Sequence, residues 1–373
     1  MKKRVIVAGH ICLDINPVFS GPKVNAIGDL LKPGKLVQVG AAAFNTGGAV
    51  ANTGLAMKVL GANVSLMGKI GRDSFGDTVM GILRQYGAED GLIVSEDAST
   101  SYTIVIAPPG IDRIFLHDPA ANNTFCADDI DEKALADAAL FHFGYPSVMQ
   151  KLYENQGAGF IDMIRRVHEK GVAVSLDLCA VDPGSEAGKQ DWHAILKAVL
   201  PYVDLFVPSI EELCSMLDPE RYASWLERAG DGDICEILDL EKDIRPIAKM
   251  CMDYGAKVLL LKCGAPGMYL ETAPADVLRT IPRLDLDADA WGSFSRFEKS
   301  FVPDRIVSGT GCGDTSIAAF LTSLLDGEDP GTCLQLAAAT GASCITAIDS
   351  LSGLKPLPEL KARIAAGWKK VGE

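Results

Sequence analysis

The sequence is short of basic residues and of long apolar runs. It has 35 Lys and Arg against 49 Asp and Glu, a net charge of −14, whereas binding nucleic acid through its phosphates requires clustered cations. No apolar stretch approaches the roughly 20 residues that a membrane-spanning helix needs. The basic start and short apolar run at residues 2–9 are too brief for a secretory leader and predict a first buried strand. We therefore expect neither a nucleic-acid partner nor membrane association.

The sequence also lacks the cysteine and histidine spacings of disulfide-rich or metal-bound folds. Its ten cysteines include no C-x-x-C pair, and its five histidines show no metal-ligand spacing. This pattern predicts reduced thiols in a cytoplasmic protein and no structural zinc site.

What is present is a globular composition with a regular alternation of strand and helix patterns. Of the 373 residues, 48% are hydrophobic and 23% are charged, which is enough for a large core. The alternation is typical of a single α/β domain over residues 1–373, with a mostly parallel, twisted sheet covered by helices and ligands beyond the carboxyl ends of the strands. The predicted strands are 4–9, 64–70, 140–143, 172–178, 203–207 and 257–262, and the predicted helices are 48–60, 74–85, 157–170, 191–200, 241–254, 312–325 and 332–345.

Four segments break this alternation. Residues 12–44 are loop-like, and residues 101–117 have the pattern of a hairpin with its turn at a Pro-Pro-Gly sequence. Together these two segments predict a small β lid. Residues 218–240 are predicted to be an insertion with its own short helix, and residues 285–303 a polar, aromatic loop at the rim of a site or on the surface.

The most informative motif is the glycine-rich stretch 307–315, which runs into an apolar helix pattern. Glycines before a helix let the backbone approach an anion, and the helix adds the positive end of its dipole. Asp314 stands in the first helical turn, where a carboxylate suits proton removal from a nucleophile that attacks a phosphate. The alternative is an ordinary strand-to-helix connection.

Two further patterns suit a hydroxyl-rich ligand. Gly47 and Gly48 open a helix that carries Asn52, and Asp14 follows the first predicted strand. An amide and a carboxylate can bind sugar hydroxyls. The alternatives are a helix entry with a capping amide and a solvated turn aspartate.

Two weaker patterns suit a nucleotide and its metal. Ser209 and Glu212 begin a predicted helix, where Glu212 would hold Mg²⁺ through water or simply complement the helix dipole. Residues 262–267 end a buried strand and would either wrap a nucleotide or form a tight turn.

In this order, the motifs resemble the PfkB/ribokinase family of carbohydrate kinases over nearly the whole chain. The matching blocks are 9–14, 47–52 with 60–61 and 68–76, and the G-A-G-D-like sequence 311–314; residues 208–212 and 262–267 match more weakly. The resemblance implies a ribokinase-like three-layer αβα sandwich with a small β lid. It also implies a kinase that uses ATP and Mg²⁺.

The resemblance also implies roles for individual residues. Asp314 would be the catalytic base, and the N–H groups of Gly311, Cys312 and Gly313 would stabilise the transferring phosphoryl group. Glu212 would place Mg²⁺ through water. The sugar would be held by Asp14, Gly47, Gly48 and Asn52, and ATP would contact Ser209, Lys262, Gly264, Gly267 and Thr310.

The chain departs from the family pattern at three places. Ser308 and Gly309 stand where an Asp-Thr pair often helps to bind a monovalent cation, so a requirement for that cation stays open. Ser209 replaces an asparagine and would reach a phosphate through water. Cys312 replaces an alanine, and the helix dipole is expected to lower its pKa.

Three functions fit these patterns. The first is a sugar kinase that transfers the γ-phosphate of ATP to a hydroxyl. The second is a nucleoside kinase of the same family, and the third is a sensor that binds a sugar or nucleotide without catalysis. Because lid strands in the family often pair between subunits, a homodimer is expected.

Overall fold

The computed structural model describes residues 2–111 and 113–373, and it contains one large and two small β-sheets. The strands are β1 Arg4–Gly9, β2 Cys12–Pro17, β3 Ala42–Gly47, β4 Asn63–Met67, β5 Lys69–Gly71, β6 Ile93–Ser95, β7 Tyr102–Ile106, β8 Ile114–Asp118, β9 Ala138–Gly144, β10 Ala173–Asp177, β11 Leu205–Phe206, β12 Val258–Cys263, β13 Gly267–Thr272 and β14 Ser295–Lys299.

The large sheet has eight strands in the order β14-β13-β12-β11-β10-β9-β1-β4. The pairings from β4 through to β12 are parallel, and those of β12 with β13 and of β13 with β14 are antiparallel. In β1, Val5 to Ala8 are fully buried, as expected for a strand covered on both faces. The mostly parallel sheet predicted from the sequence is confirmed.

Helices cover both faces of this sheet. They are α1 Ile27–Leu30, α2 Ala49–Val59, α3 Ser74–Gln85, α4 Glu132–Ala136, α5 Gln150–Glu169 (non-helical at 154–157), α6 Trp192–Val199, α7 Ile210–Leu217, α8 Pro219–Ala229, α9 Ile234–Ile237, α10 Arg245–Asp253, α11 Ala275–Leu278, α12 Ala288–Trp291, α13 Cys312–Leu325, α14 Pro330–Cys344 and α15 Leu357–Ala365. One hydrophobic cluster includes α5, α6, α7 and α10, a second includes α2, α3, α13 and α14, and a smaller third joins α14 to α15. The result is the expected three-layer αβα sandwich.

A second sheet of four strands has the order β3-β2-β7-β8. The hairpin predicted within residues 101–117 is present as β7 and β8. The prediction of a loop over residues 12–44 is wrong at its two ends, because 12–17 and 42–44 lie in β2 and β3, which pair antiparallel. Each strand gains backbone partners only from distant segments, so the local pattern did not reveal them.

Three other predictions are refined by the structure. The predicted strand 64–70 is interrupted at Gly68, where an added Cβ would lie 2.9 Å from Ile11. Residues 285–303 are not a loop, since they contain α12 and the edge strand β14. Residues 218–240 contain two helices, α8 and α9.

The ten cysteines are free thiols, seven of them buried. Among the helices of the described residues, none combines the length and the apolar character needed to cross a membrane.

Candidate active site

The glycine turn before α13 has the conformation that its sequence requires. Gly311 has a φ of 72°, and an added Cβ would lie 2.3 Å from the Cβ of Ser350, so both the backbone and the available space demand glycine. α13 begins at the next residue and is 14 residues long. The turn therefore lies at the positive end of a helix dipole.

The N–H groups of this turn differ in their availability. The N–H of Cys312 donates to the carbonyl of Gly309 at 3.3 Å, so it is turned toward its own loop. Within the described part of the chain, the N–H groups of Gly311 and Gly313 have no hydrogen-bond acceptor. An added Cβ on Gly313 would lie 3.6 Å from the Nζ atom of Lys262. Two of the three predicted hole N–H groups are therefore available to an anion, and the ammonium group of Lys262 lies close to Gly313.

The expectation of a lowered pKa for the Cys312 thiol is wrong. A hydrogen bond with the Cys344 thiol, and then burial, raise the pKa of Cys312 above its ordinary value. These contacts outweigh the helix dipole, so Cys312 is a neutral packing group.

Asp314 lies in the first turn of α13 and is only 5% exposed. Its carboxylate accepts three hydrogen bonds, from Asn52 Nδ2 at 3.0 Å, Thr53 Oγ1 at 3.3 Å and Tyr145 Oη at 2.7 Å. Each donor comes from a distant part of the sequence, on α2 or just after β9. The carboxyl group is therefore buried and fixed in one orientation.

Tyr145 was missed by the sequence analysis. It follows β9 in the left-handed conformation, with φ 72° and ψ 47°, which is rare for a residue with a side chain and typical of functional positions. Burial, and then the charge of Asp314, raise the pKa of its phenol, so the hydroxyl stays protonated and donates. The sequence signal that could have revealed Tyr145 is its position just after the carboxyl end of the predicted strand 140–143.

Asp14 is not a turn residue, because it lies within β2, opposite Asn45 of β3. Burial raises the pKa of its carboxyl to about 6, while hydrogen bonds from Cys12 and Thr103 oppose that rise and the charge of Asp314 adds to it. The carboxyl group is thus largely removed from water and lies close enough to Asp314 to be affected by its charge.

The predicted sugar-binding glycines make room for neighbouring side chains. An added Cβ on Gly47 would lie 2.4 Å from Asp14 Oδ2, and one on Gly48, which has a φ of 84°, would lie 2.5 Å from His10 Nδ1. Asn52 donates to Asp314, and its Oδ1 accepts from Ser350 Oγ at 3.0 Å. The structure therefore gives Asn52 a role in holding Asp314, and its direct contact with a sugar stays a prediction.

Lys262 belongs to a buried cluster of charges beside the turn. Its Nζ lies 2.8 Å from Asp177 Oδ1. Burial lowers the pKa of Lys262, but Asp177 and Glu212 with Asp314 raise it above the ordinary value. Burial raises the pKa of Asp177 to about 7, against the opposing effect of Lys262. The lysine therefore keeps its proton, and three carboxyl groups surround one cation.

Asp177, which the sequence analysis also missed, stands at the carboxyl end of β10. Its Oδ2 atom is buried without a hydrogen-bond partner among the described residues. An unpaired buried carboxylate oxygen is costly unless a cation or water meets it.

Ser209 and Glu212 form a capping box at the start of α7. Ser209 Oγ accepts from the N–H of Glu212, and the Glu212 carboxylate accepts from the N–H of Ser209, both at 3.3 Å. Burial raises the pKa of Glu212, while Lys262 opposes the rise. The helix-start interpretation is thus realised, and the metal role of Glu212 and the phosphate role of Ser209 stay predictions.

Gly264 and Gly267 belong to the tight turn between β12 and β13. Added Cβ atoms would lie 3.0 Å from Cys235 and 2.1 Å from the Glu298 carbonyl, respectively. Their glycine requirement comes from packing, so their contact with ATP stays a prediction.

Thr310 is contacted by a residue of the four-stranded sheet. Arg113, next to β8, donates from its guanidinium to Thr310 Oγ1, and Ser308 Oγ lies 3.0 Å from the same oxygen. The hairpin therefore reaches the glycine turn, and it brings Arg113, a cation that the sequence analysis missed, to the start of α13.

Together, the mostly parallel sheet, the glycine turn and the buried carboxyl group define an α/β protein with a candidate anion site at the start of α13. The sequence profile of the pfkB family carbohydrate kinases matches residues 2–355. The chain therefore belongs to the pfkB family of carbohydrate kinases, phosphotransferases whose acceptor is an alcohol group.

Individual relatives agree with this assignment. An uncharacterized sugar kinase of Archaeoglobus fulgidus is 23% identical over 295 residues, which cover 79% of this chain and 96% of that protein. A Xylella fastidiosa fructokinase with bound ATP superimposes with a TM-score of 0.70 at 19% identity, over 98% of this chain and 99% of that one. An Arabidopsis thaliana ribokinase complexed with ribose and ATP gives 0.69 at 18% identity, over 97% and 98%. At these identities the two structures establish the ribokinase-like fold.

Proposed function

We propose that this protein is an ATP-dependent carbohydrate kinase that transfers the γ-phosphate of ATP to a sugar hydroxyl. The observation that carries the proposal is the buried Asp314 carboxylate, fixed by three donors at the start of α13 beside Lys262. A carboxylate repels a phosphate, so its place beside an anion-binding turn suits proton removal from the attacking hydroxyl. The related fructokinase and ribokinase structures hold ATP, one of them with ribose, which supports this acceptor class.

In the proposed reaction, the acceptor hydroxyl attacks the γ-phosphorus, the bond from that phosphorus to the bridging oxygen of ADP breaks, and the hydroxyl proton passes to Asp314. Asn52, Thr53 and Tyr145 keep the carboxylate aimed at the acceptor. The N–H groups of Gly311 and Gly313 meet the charge that grows on the equatorial oxygens.

Mg²⁺ fits the residues at the other side of the turn. The unpaired Asp177 Oδ2 and the partly exposed Glu212 offer oxygen ligands, directly or through water, as this ion prefers. An ion held by these two residues would supply positive charge to offset that of the nucleotide phosphates. Lys262 adds a fixed positive charge to the same region.

The four-stranded sheet serves as the lid. Arg113 brings the hairpin of that sheet onto Thr310, so closure would exclude water, which otherwise competes as the acceptor. Ser308 and Gly309 provide no carboxylate for a monovalent cation, so the need for that cation is left to measurement.

An acceptor panel tests the proposed function. The protein is incubated with ATP and Mg²⁺ and with sugars or nucleosides, and ADP release is followed. We expect turnover with at least one sugar. Turnover with nucleosides alone would select the nucleoside kinase, and calorimetric sugar binding without phosphoryl transfer would select the sensor.

We also propose a cytoplasmic homodimer formed through the lid. Val18, Phe44, Phe115 and Leu116 lie on or next to the four-stranded sheet, and each is at least 50% exposed. Apolar exposure on a small sheet favours burial against a second copy. Light scattering tests this, since a monomer at micromolar concentration would contradict it.

A further inference from the structure

Three side chains with metal-ligating atoms meet beside Asp14, although their spacing in the sequence gave no sign of it. His10 follows β1, Cys12 begins β2 and His117 lies on β8. One ligand atom from each lies within 4.8 Å of the other two. His10 and Cys12 are each 3% exposed, whereas His117 is exposed.

We propose that His10, Cys12 and His117 form a binding site for a borderline divalent cation of the Zn²⁺ type. The two Nε2 atoms face each other at 3.2 Å. Two nitrogens bound to one tetrahedral zinc ion at 2.0–2.1 Å lie about 3.3 Å apart, so the rings already stand at the separation that the ion needs. Two imidazoles and a thiolate select Zn²⁺ and reject the harder Mg²⁺.

Thr103 orients the exposed ligand. Its Oγ1 lies 3.0 Å from His117 Nδ1 and 3.6 Å from Cys12 Sγ. A hydrogen bond at one ring nitrogen directs the other nitrogen toward the metal, as is usual for ligating histidines. Asp14, whose Oδ1 lies 3.4 Å from Cys12 Sγ, places a negative charge beside the bound cation.

The site would join the lid to the body of the protein. His117 belongs to the four-stranded sheet, while the His10 backbone is bonded to Gly144 and Val50 of the main layers. A bound ion would also occupy the space beside Asp14. This consequence rests on the proposed function: Zn²⁺ would compete with the acceptor and leave ATP binding unaffected.

Cobalt titration of the full-length, reduced protein tests the site without ATP or acceptor. We expect one equivalent of Co²⁺ to produce tetrahedral visible bands and a near-ultraviolet thiolate-to-metal band. Zn²⁺ should remove these bands, and a large excess of Mg²⁺ should not. Absence of the thiolate band at saturating Co²⁺ would overturn the proposal and leave a hydrogen bond between the two rings.

Variants identify the ligands. His117→Gln changes an exposed residue and should raise the Kd for Co²⁺ at least about 100-fold, which is the upper limit for loss of a group that only supports a ligand. Thr103→Val, which removes such a supporting group, should raise the Kd about 10-fold. Cys12→Ser should remove the near-ultraviolet band. His168→Gln, on α5, is the matched control and should bind as the wild type does. Circular dichroism checks the folding of each variant, and a folded His117→Gln protein with unchanged affinity would sink the assignment.

Steady-state kinetics separately tests the expected competition between Zn²⁺ and the acceptor. With the acceptor found in the panel, Zn²⁺ should raise the apparent acceptor KM in proportion to its concentration and leave the KM for ATP unchanged. If no acceptor is phosphorylated, the proposed function fails while the cobalt spectrum still decides the metal site. If cobalt binds but Zn²⁺ does not alter the acceptor KM, competition with the acceptor is overturned.

Discussion

The two ends of the candidate site are built on different parts of the molecule. At the phosphoryl end, Asp314, Asp177 and Lys262 stand on α13 and the large sheet, with side chains no more than 12% exposed. At the acceptor end, Asp14 and His117 stand on the small, partly exposed sheet. A rigid core suits chemistry that needs fixed geometry, and a peripheral sheet suits recognition that can vary. Changes at the phosphoryl end should therefore lower kcat, and changes at the acceptor end should raise the acceptor KM.

The largest expected effect is at Asp314. Asp314→Asn removes the proton acceptor with little change in shape, so kcat should fall about 10²–10⁴-fold, the usual contribution of a general base. A coupled ADP-release assay measures this fall. Asp326→Asn, at the other end of α13, is the matched control and should leave kcat intact. A kcat within a few-fold of wild type in Asp314→Asn would break the assignment of the base.

The next effect is at Lys262, where stability and catalysis can be separated. Lys262→Met leaves Asp177 unpaired and should lower the free energy of unfolding by about 3–5 kcal/mol, along with a fall in kcat of about 10²–10³-fold. The double variant Lys262→Met/Asp177→Leu should regain stability without regaining activity. Denaturant unfolding and the kinase assay give the two readouts, and recovery of activity in the double variant would reduce Lys262 to a structural role.

Asp14→Asn tests the acceptor end. Loss of a charged hydrogen-bond acceptor costs about 1.5–3 kcal/mol, so the acceptor KM should rise about 10- to 100-fold, with a smaller change in kcat. Initial rates over a range of acceptor concentrations measure both constants. A fall confined to kcat would show that Asp14 acts in phosphoryl transfer and not in binding the acceptor.

The smallest expected effect is at Tyr145. Tyr145→Phe removes one of three hydrogen bonds to Asp314, so kcat should fall about 10-fold with the acceptor KM little changed. Tyr153→Phe, on α5, is the control. An unchanged kcat in Tyr145→Phe would show that Asn52 and Thr53 are sufficient to hold the carboxylate.

Much of the fold could be read from local patterns. The continuous apolar run of β1 and the periodic apolar residues of α13 are set by neighbours in sequence, so both were predicted within a few residues. β13 and β14 were missed because they begin at a glycine turn and in a polar segment. Their strand conformation comes from antiparallel pairing, of β13 with β12 and of β14 with β13, which the local sequence does not show.

The group of His10, Cys12 and His117 shows that local sequence patterns also miss contacts between distant side chains. His10 and Cys12 are neighbours in the sequence, but the third ligand is 107 residues away from His10. Only the pairing of β2 with β7, and of β7 with β8, brings His117 to them. A search for local metal-ligand spacing therefore could not find this group.

The sequence by itself determined the parallel α/β arrangement, the glycine turn and the place of Asp314 in the first turn of its helix. These depend on apolar periodicity and on the conformational range of glycine, which are local properties. The tertiary structure alone decided what touches Asp314: Tyr145 and Asn52 reach it across 169 and 262 residues of sequence. They meet because Tyr145 follows the parallel strand β9, while α2 contacts both β9 and α13. That arrangement depends on the order of the strands and the packing of the helices, which are not local properties of the sequence.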